Sequence, residues 1–133
     1  MCGVFGYTGK NVANDLVFQG LKRLEYRGYD SWGIAVNNKG KITIFKTIGE
    51  IKPDKGLSKL PQSTTAIGHT RWATHGGVTV NNAHPHISTD NSFTLVQNGI
   101  VENFDILKKQ LQKKGHKFTT QTDTEVIVKL VEE

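Results

Sequence analysis

Met1-Cys2-Gly3-Val4-Phe5-Gly6-Tyr7-Thr8-Gly9 is the stretch on which the reading turns. Residues 1–9 read as a short strand that Gly9 ends, so the chain enters a sheet almost at once. If Met1 is removed, Cys2 carries a thiol and a free α-amine on one residue. An α-amine has an ordinary pKa of about 7.7–8.0, so part of it is neutral at physiological pH and can take the proton of its own side chain. Taken alone, Cys2 reads better as a small buried apolar residue at a strand start. The rest of the chain has to decide between the two readings.

Working outward, residues 14–24 place Leu16, Val17, Gly20, Leu21 and Leu24 at helical spacing. Residues 26–30, Tyr-Arg-Gly-Tyr-Asp, form a loop. Two strand-like runs, 32–36 and 42–48, flank Asn37-Asn38-Lys39-Gly40, a hairpin signal. Residues 51–60 read as one short helix and 65–72 as a strand. Residues 73–90 read as loop, with Gly76-Gly77, Asn81-Asn82 and Pro85 as breakers. A strand over 93–97 follows, then an amphipathic helix over 104–114 closed by Gly115. Phe118 is assigned to a short strand. Thr122-Asp123-Thr124-Glu125 matches the capping box, with Val126, Ile127, Leu130 and Val131 as the apolar face of a last helix. There is no internal repeat. The chain stops at Glu133 inside or just after that helix, which reads as a truncated domain.

Composition sets the outer limits. With 133 residues, 36% hydrophobic and 22% charged, the chain is a one-domain globular sequence and not a disordered tail. Its 14 glycines call for positive-φ turns or close backbone approaches. The net charge of +5 raises nucleic acid as a partner. The only lysine-dense stretch, Lys108, Lys109, Lys113, Lys114 and Lys117, is spaced along one helix and its exit as a solvated face. No nucleic-acid partner is expected. The single cysteine excludes an intramolecular disulfide and a structural Cys-based zinc site. No apolar signal segment or membrane-length run is present, so a cytoplasmic protein with no membrane partner is expected.

Four features carry chemistry. Cys2 is the first. In His69-Thr70-Arg71-Trp72-Ala73-Thr74-His75-Gly76, Arg71 offers a planar fork for a carboxylate, with Thr74 and His75 as further donors. A surface ion pair for Arg71 and a core position for Trp72 are the plainer readings. Asn98-Gly99 is a turn signal first, but an Asn amide and a Gly backbone N–H can converge on one oxygen as an oxyanion hole. Asp123 is a helix cap or a partner for an ammonium group. Together they suit an α-amino acid with a side-chain carbonyl, although spacing alone does not make them converge.

At these residues the sequence resembles the class II glutamine amidotransferases. The matching runs are the Met1–Gly6 start, Leu24-Glu25-Tyr26-Arg27-Gly28-Tyr29-Asp30-Ser31, the 69–76 octet, Asn82-Ala83-His84-Pro85-His86, Asn98-Gly99-Ile100-Val101-Glu102-Asn103 and 122–125. The nearest branch is glucosamine-6-phosphate synthase. Glu-Tyr-Arg-Gly-Tyr-Asp-Ser separates it from the amidophosphoribosyltransferase branch. The resemblance implies an α+β N-terminal-nucleophile hydrolase fold, a four-layer α/β/β/α sandwich, with residues 1–133 as the N-terminal portion of a glutaminase domain. It implies Cys2 as nucleophile, Asn98 and the Gly99 backbone as oxyanion hole, Arg71, Trp72, Thr74 and His75 near the glutamine α-carboxylate, and Asp123 at its α-ammonium.

Residues 73–80 match the loop that closes over glutamine, with Gly76-Gly77 as hinge. The implied reaction hydrolyses glutamine to glutamate and ammonia, which aminates fructose 6-phosphate in a sugar-phosphate isomerase domain absent here. The parent is expected to be a homo-oligomer. No cofactor and no metal is implied, and the His84–His86 pair reads as structural. Two departures stand out: Gln97, where relatives usually have His, and Trp32, where a small residue is common. The rival readings are a glutamine-binding fragment without turnover, another N-terminal-nucleophile amidohydrolase, and the glutaminase half of a different class II amidotransferase.

Overall fold

The computed structural model describes all 133 residues. Its centre is a four-stranded antiparallel sheet in the order β1-β4-β2-β3, built from β1 (Gly3–Thr8), β2 (Ser31–Asn38), β3 (Lys41–Ile48) and β4 (Thr65–Arg71). The β2–β3 hairpin closes on Lys39-Gly40, both at positive φ (53° and 86°), the geometry of a two-residue type I′ turn. Helix α1 (Ala13–Leu24) lies on one face of this sheet, against β1, β4 and β2.

Pleating sends alternate residues to opposite faces. Trp32, Ile34 and Val36 of β2 meet Val17 and Leu21 of α1, with Ala13, Ile51, Leu60 and Ala66 completing the core. Trp32 is fully buried, edge-on to Phe45 at 5.3 Å and tilted to Phe18 at 5.9 Å, and its indole N–H donates to the Glu50 carbonyl at 3.0 Å. The unusual Trp is thus the anchor of the helix-side core, on the α1 face of the sheet. The opposite face of β2 carries only Ser31, Gly33 and Ala35.

That thin face receives a second layer. A two-stranded sheet, β5 (His86–Ile87) with β6 (Thr94–Leu95), is backed by α3 (Asp123–Glu132), on which α2 (Phe104–Lys113) packs in turn. The order helix, sheet, sheet, helix is the expected four-layer α+β sandwich, with a short second sheet. α2 ends in a Schellman motif: His116 N–H donates to Leu111 O and Gly115 N–H to Gln112 O, both at 3.0 Å.

Several local expectations are corrected. Residues 51–60 form no α-helix, only a single 3-10 turn at Leu57–Lys59. Pro53 and the Gly56 N–H bonded to Asp54 Oδ1 at 2.6 Å break the run, while Ile51 and Leu60 turn inward as two separate anchors. The 73–90 loop contains β5, and the strand expected over 93–97 pairs only at Thr94–Leu95. Phe118 lies in no strand; its ring sits under the Lys108 ammonium, 5.1 Å from the ring centre. The capping box does not form. The Thr122 hydroxyl pairs with His86 Nε2 at 3.0 Å, and Glu125 accepts from the N–H groups of Thr119 (2.9 Å) and Thr120 (2.7 Å) ahead of the helix. This polar first turn sets the rotation of α3, so Val126 and Val128 are buried while Leu130 and Val131 are 41% and 61% exposed.

The thin face of β2 yields a test. A methyl group on Gly33 would press on the His84 carbonyl oxygen and lie 2.7 Å from the Phe45 carbonyl oxygen, both backbone atoms, whereas one on Gly6 meets nothing closer than 3.5 Å. Gly33→Ala is expected to cost about 1–3 kcal/mol of unfolding free energy and Gly6→Ala less than about 0.5 kcal/mol, read from urea melts.

Candidate active site

β4 delivers the site. Thr70, Gly68 and Ala66 face α1, so His69 and Arg71 face the second layer from one strand face. β1 runs antiparallel beside β4 with Gly3 opposite Thr70, which brings Cys2 to the same end of the sheet. The Cys2 thiol is held at the Trp72 peptide: Trp72 N–H donates to Sγ at 3.2 Å, and Sγ donates to Trp72 O at 3.6 Å. The Met1 ammonium donates to the Arg27 carbonyl.

From the second layer, the loop after β6 brings Asn98 over the start of β1, where Asn98 Nδ2 donates to Cys2 O at 2.9 Å. Asp123, at the first turn of α3, is 5% exposed and accepts from Val101 N–H at 2.7 Å. It caps nothing in its own helix, so its carboxylate is held toward the 97–101 loop. Cys2, Arg71, Trp72, Thr74, His75, Gly99 and Asp123 line one small cavity, with His69, His84, Gln97, Thr122 and Thr124. Asn98 adjoins it through Cys2. The structure therefore brings together residues 2, 71–75, 98–99 and 123, which are separated by up to 121 positions in sequence.

Arg71 is 4% exposed and makes no surface ion pair. Its guanidinium donates to carbonyls of the 73–80 loop: His75 O, Gly76 O at 3.4 Å and Gly77 O at 3.0 Å. Burial pushes the guanidinium pKa down, and the charges of Cys2, Asp30 and Asp123 push it back up. Trp72 is no core residue; its side chain is 52% exposed and packs over Gly28. Thr74 is exposed, and the His75 ring stands edge-on to Phe104 at 4.3 Å. The cavity measures about 20 Å³, room for about one water molecule and not for an amino acid. The 73–80 loop must therefore move off Arg71 before an amino acid can enter. A larger cavity of about 520 Å³ lies against β3, with Lys46 pushed down to about 8 by burial, but no thiol lines it.

Sequence reasoning read the His84–His86 pair as structural but gave no role to His69 in the polar seam behind the site. His69 stacks on His84 (4.1 Å, 18°), and His86 stands edge-on to His84 at 4.7 Å. Burial drives His69 down to about 4 and His86 to about 3, and pushes His84 further still. All three rings are neutral near pH 7, and they stack instead of converging as metal ligands do. Gln97 belongs to this seam: its Oε1 accepts from the Thr124 hydroxyl at 2.8 Å. One signal was available beforehand. His69 stands two residues before Arg71 in a strand, so the two share a face.

The architecture has close counterparts among solved structures. The glutamine phosphoribosylpyrophosphate amidotransferase from B. subtilis matches with a TM-score of 0.85 and 34% identity, over 100% of this chain and 29% of that one. A structure described as the allosteric regulatory enzyme of purine biosynthesis matches with a TM-score of 0.86, also at 34% identity, over 100% of this chain and 30% of that one. The fold is that of the N-terminal-nucleophile amidotransferase domains. Residues 43–133 match the family described as "Glutamine amidotransferase domain". The glutamine–fructose-6-phosphate aminotransferases (isomerizing) of Streptomyces coelicolor and Pyrococcus horikoshii are 51% and 52% identical over the whole chain. The chain belongs to the glutamine amidotransferase domain family. It spans 22% and 23% of the length of those two relatives. No helix is long and apolar enough to cross a membrane.

The histidine seam makes stability depend on pH. Each ring has a folded pKa below its unfolded value of about 6.5, so in mild acid the unfolded chain binds more protons than the folded one. Stability is then full above pH ~6.5 and falls as pH drops toward about 4 for His69 and about 3 for His86. Between pH 6 and 4.5 the loss should approach three protons, about 4 kcal/mol per pH unit. Urea melts across that range should show this slope, and His86→Gln should reduce it by about one proton.

Proposed function

We propose that this chain hydrolyses the side-chain amide of glutamine, with Cys2 as nucleophile once Met1 is removed. The observation that carries the reading is the meeting of a thiol, an amide NH2, a buried guanidinium and a buried carboxylate around one cavity. No other part of the molecule gathers such a set. In the reaction, the Cys2 thiol passes its proton to the Cys2 α-amine and the sulfur attacks the glutamine side-chain carbonyl carbon. Asn98 Nδ2 and the Gly99 N–H hold the oxyanion. The amine returns the proton to the departing nitrogen, the C–N bond breaks, and ammonia leaves a γ-glutamyl thioester. Water adds to the thioester and glutamate is released, regenerating the thiol.

Arg71 takes the substrate α-carboxylate as a bidentate fork, and Asp123 takes the α-ammonium. Trp72, Thr74 and His75 complete the carboxylate side. The carbonyls that now surround Arg71 give way to the carboxylate as the loop moves, an exchange of neutral acceptors for a charged one. Residues 1–133 are read as the N-terminal portion of the glutaminase domain. The names of the closely similar relatives support a parent that makes glucosamine 6-phosphate, in which ammonia passes to a sugar-phosphate isomerase domain and aminates fructose 6-phosphate. We read that parent as a cytosolic homo-oligomer. This reaction needs neither metal nor cofactor.

The test is an intact mass of the Met1-processed chain before and after exposure to the diazoketone analogue of glutamine. One adduct, suppressed by excess glutamine and lost in Cys2→Ala, is expected. Asn98→Ala should slow labelling about 10²–10³-fold, while Arg71→Lys should mainly raise the half-saturating concentration. A processed chain that stays unlabelled would overturn the reading for this chain and leave it a glutamine-binding fragment at most.

A further inference from the structure

Asn98 can serve as an oxyanion donor only if its amide presents nitrogen, not oxygen, to the space beside Cys2. The side chain is exposed and sits on a loop, so its own backbone does not fix that choice. Three contacts do. Cys2 O lies 2.9 Å from one end of the amide and can only accept, so that end is Nδ2. Oδ1 at the other end then lies 2.9 Å from His69 Nε2 and requires a donor there. Independently, Gln97 O lies 2.9 Å from the same Nε2 and can also only accept. Both demands are met by one proton on Nε2, shared between the two oxygens. Turning the amide over would set two oxygens 2.9 Å apart at Cys2 and leave Nε2 between a donor and an acceptor.

The other ring nitrogen agrees. His69 Nδ1 is buried without a hydrogen-bond partner. A bare lone pair in that position costs less than an orphaned N–H. The ring plane is fixed by stacking on His84, and His69 is fully buried between the two layers. Burial keeps it neutral, so it offers one donor and one bare nitrogen.

We infer that His69 is a positioning residue, the Nε2–H tautomer that holds Asn98 Oδ1 and so turns the Asn98 NH2 toward the oxyanion. It acts through Asn98. The inference rests on the glutaminase reading of the site. One Nδ2 hydrogen goes to Cys2 O and the second is left for the developing negative charge. Without His69 only the Cys2 O contact opposes a turn of the amide, and its oxygen meets that charge for part of the time.

Two measurements test this. In the unsubstituted chain labelled with ¹⁵N-histidine, a long-range ¹H–¹⁵N spectrum near pH 7 should show His69 protonated at Nε2 and bare at Nδ1. A ring protonated at Nδ1 overturns the inference whatever the activity. In the labelling assay, His69→Gln keeps an N–H at the reach of Nε2, whereas His69→Asn does not. Asn is expected to slow maximal labelling about ten- to a hundred-fold, part of the 10²–10³ for losing the donor outright, with the half-saturating concentration unchanged within about two-fold. Gln should restore most of that rate. If both variants label at the unsubstituted rate, the inference fails and the glutaminase reading stands. If the unsubstituted chain does not label, that reading fails and takes the role of His69 with it. If the variants do not fold, the tautomer in the unsubstituted chain decides.

Discussion

The strand pair β2–β4 has to be thick on one face and thin on the other, and the rest of the molecule follows from that asymmetry. Toward α1 it presents Trp32, Ile34 and Val36, which bury the helix and supply the apolar driving force. Toward the second layer it presents Ser31, Gly33 and Ala35, so backbone can approach backbone there. The His84 carbonyl lies where a Gly33 side chain would be. The layers therefore meet through β4 and the loops beside it, and the gap is filled by His69, His84 and His86, not by aliphatic side chains.

A polar seam of this kind is costly unless each group is satisfied. Here the histidines are kept uncharged, and nearly every polar atom has a partner: His86 with Thr122, Gln97 with Thr124, His69 with the Asn98 loop. Arg71 carries a permanent charge at 4% exposure and is satisfied by three carbonyls of a single short loop. That arrangement is stable without a ligand yet open to exchange, because neutral acceptors hold a guanidinium less strongly than a carboxylate does. The seam and the site are continuous. Asn98 is set by contacts to Cys2 on one side and His69 on the other, so the stacking behind the site decides the geometry in front of it.

Periodicity and turn chemistry made much of this legible in advance. α1, the β2–β3 hairpin, β4 and α2 with its Gly115 closure are local structures, each fixed by apolar spacing or by a turn residue inside the element. Motif runs around Cys2, Arg71, Asn98 and Asp123 picked out candidate residues that the structure gathers at one end of the sheet. The misreadings fell where a local preference lost to a distant partner. Thr122 gave its hydroxyl to His86 instead of capping α3, and Glu125 reached to Thr119 and Thr120. The 51–60 segment gave up a helix so that Ile51 and Leu60 could both reach the core.

What the sequence determined by itself was the set of elements and the chemistry on offer: a thiol beside the start, an Arg at a strand end, an Asn-Gly turn and an Asp at a helix start. These are properties of residue type and short-range spacing. What only the tertiary structure decided was their convergence, the burial of Arg71 and the tautomer of His69. Each of these depends on contacts between the two layers, such as Asn98 on Cys2 across 96 positions and Thr124 near His84 across 40. No local rule fixes such a pair, because the energy that holds it is released only when both sheets are already in place.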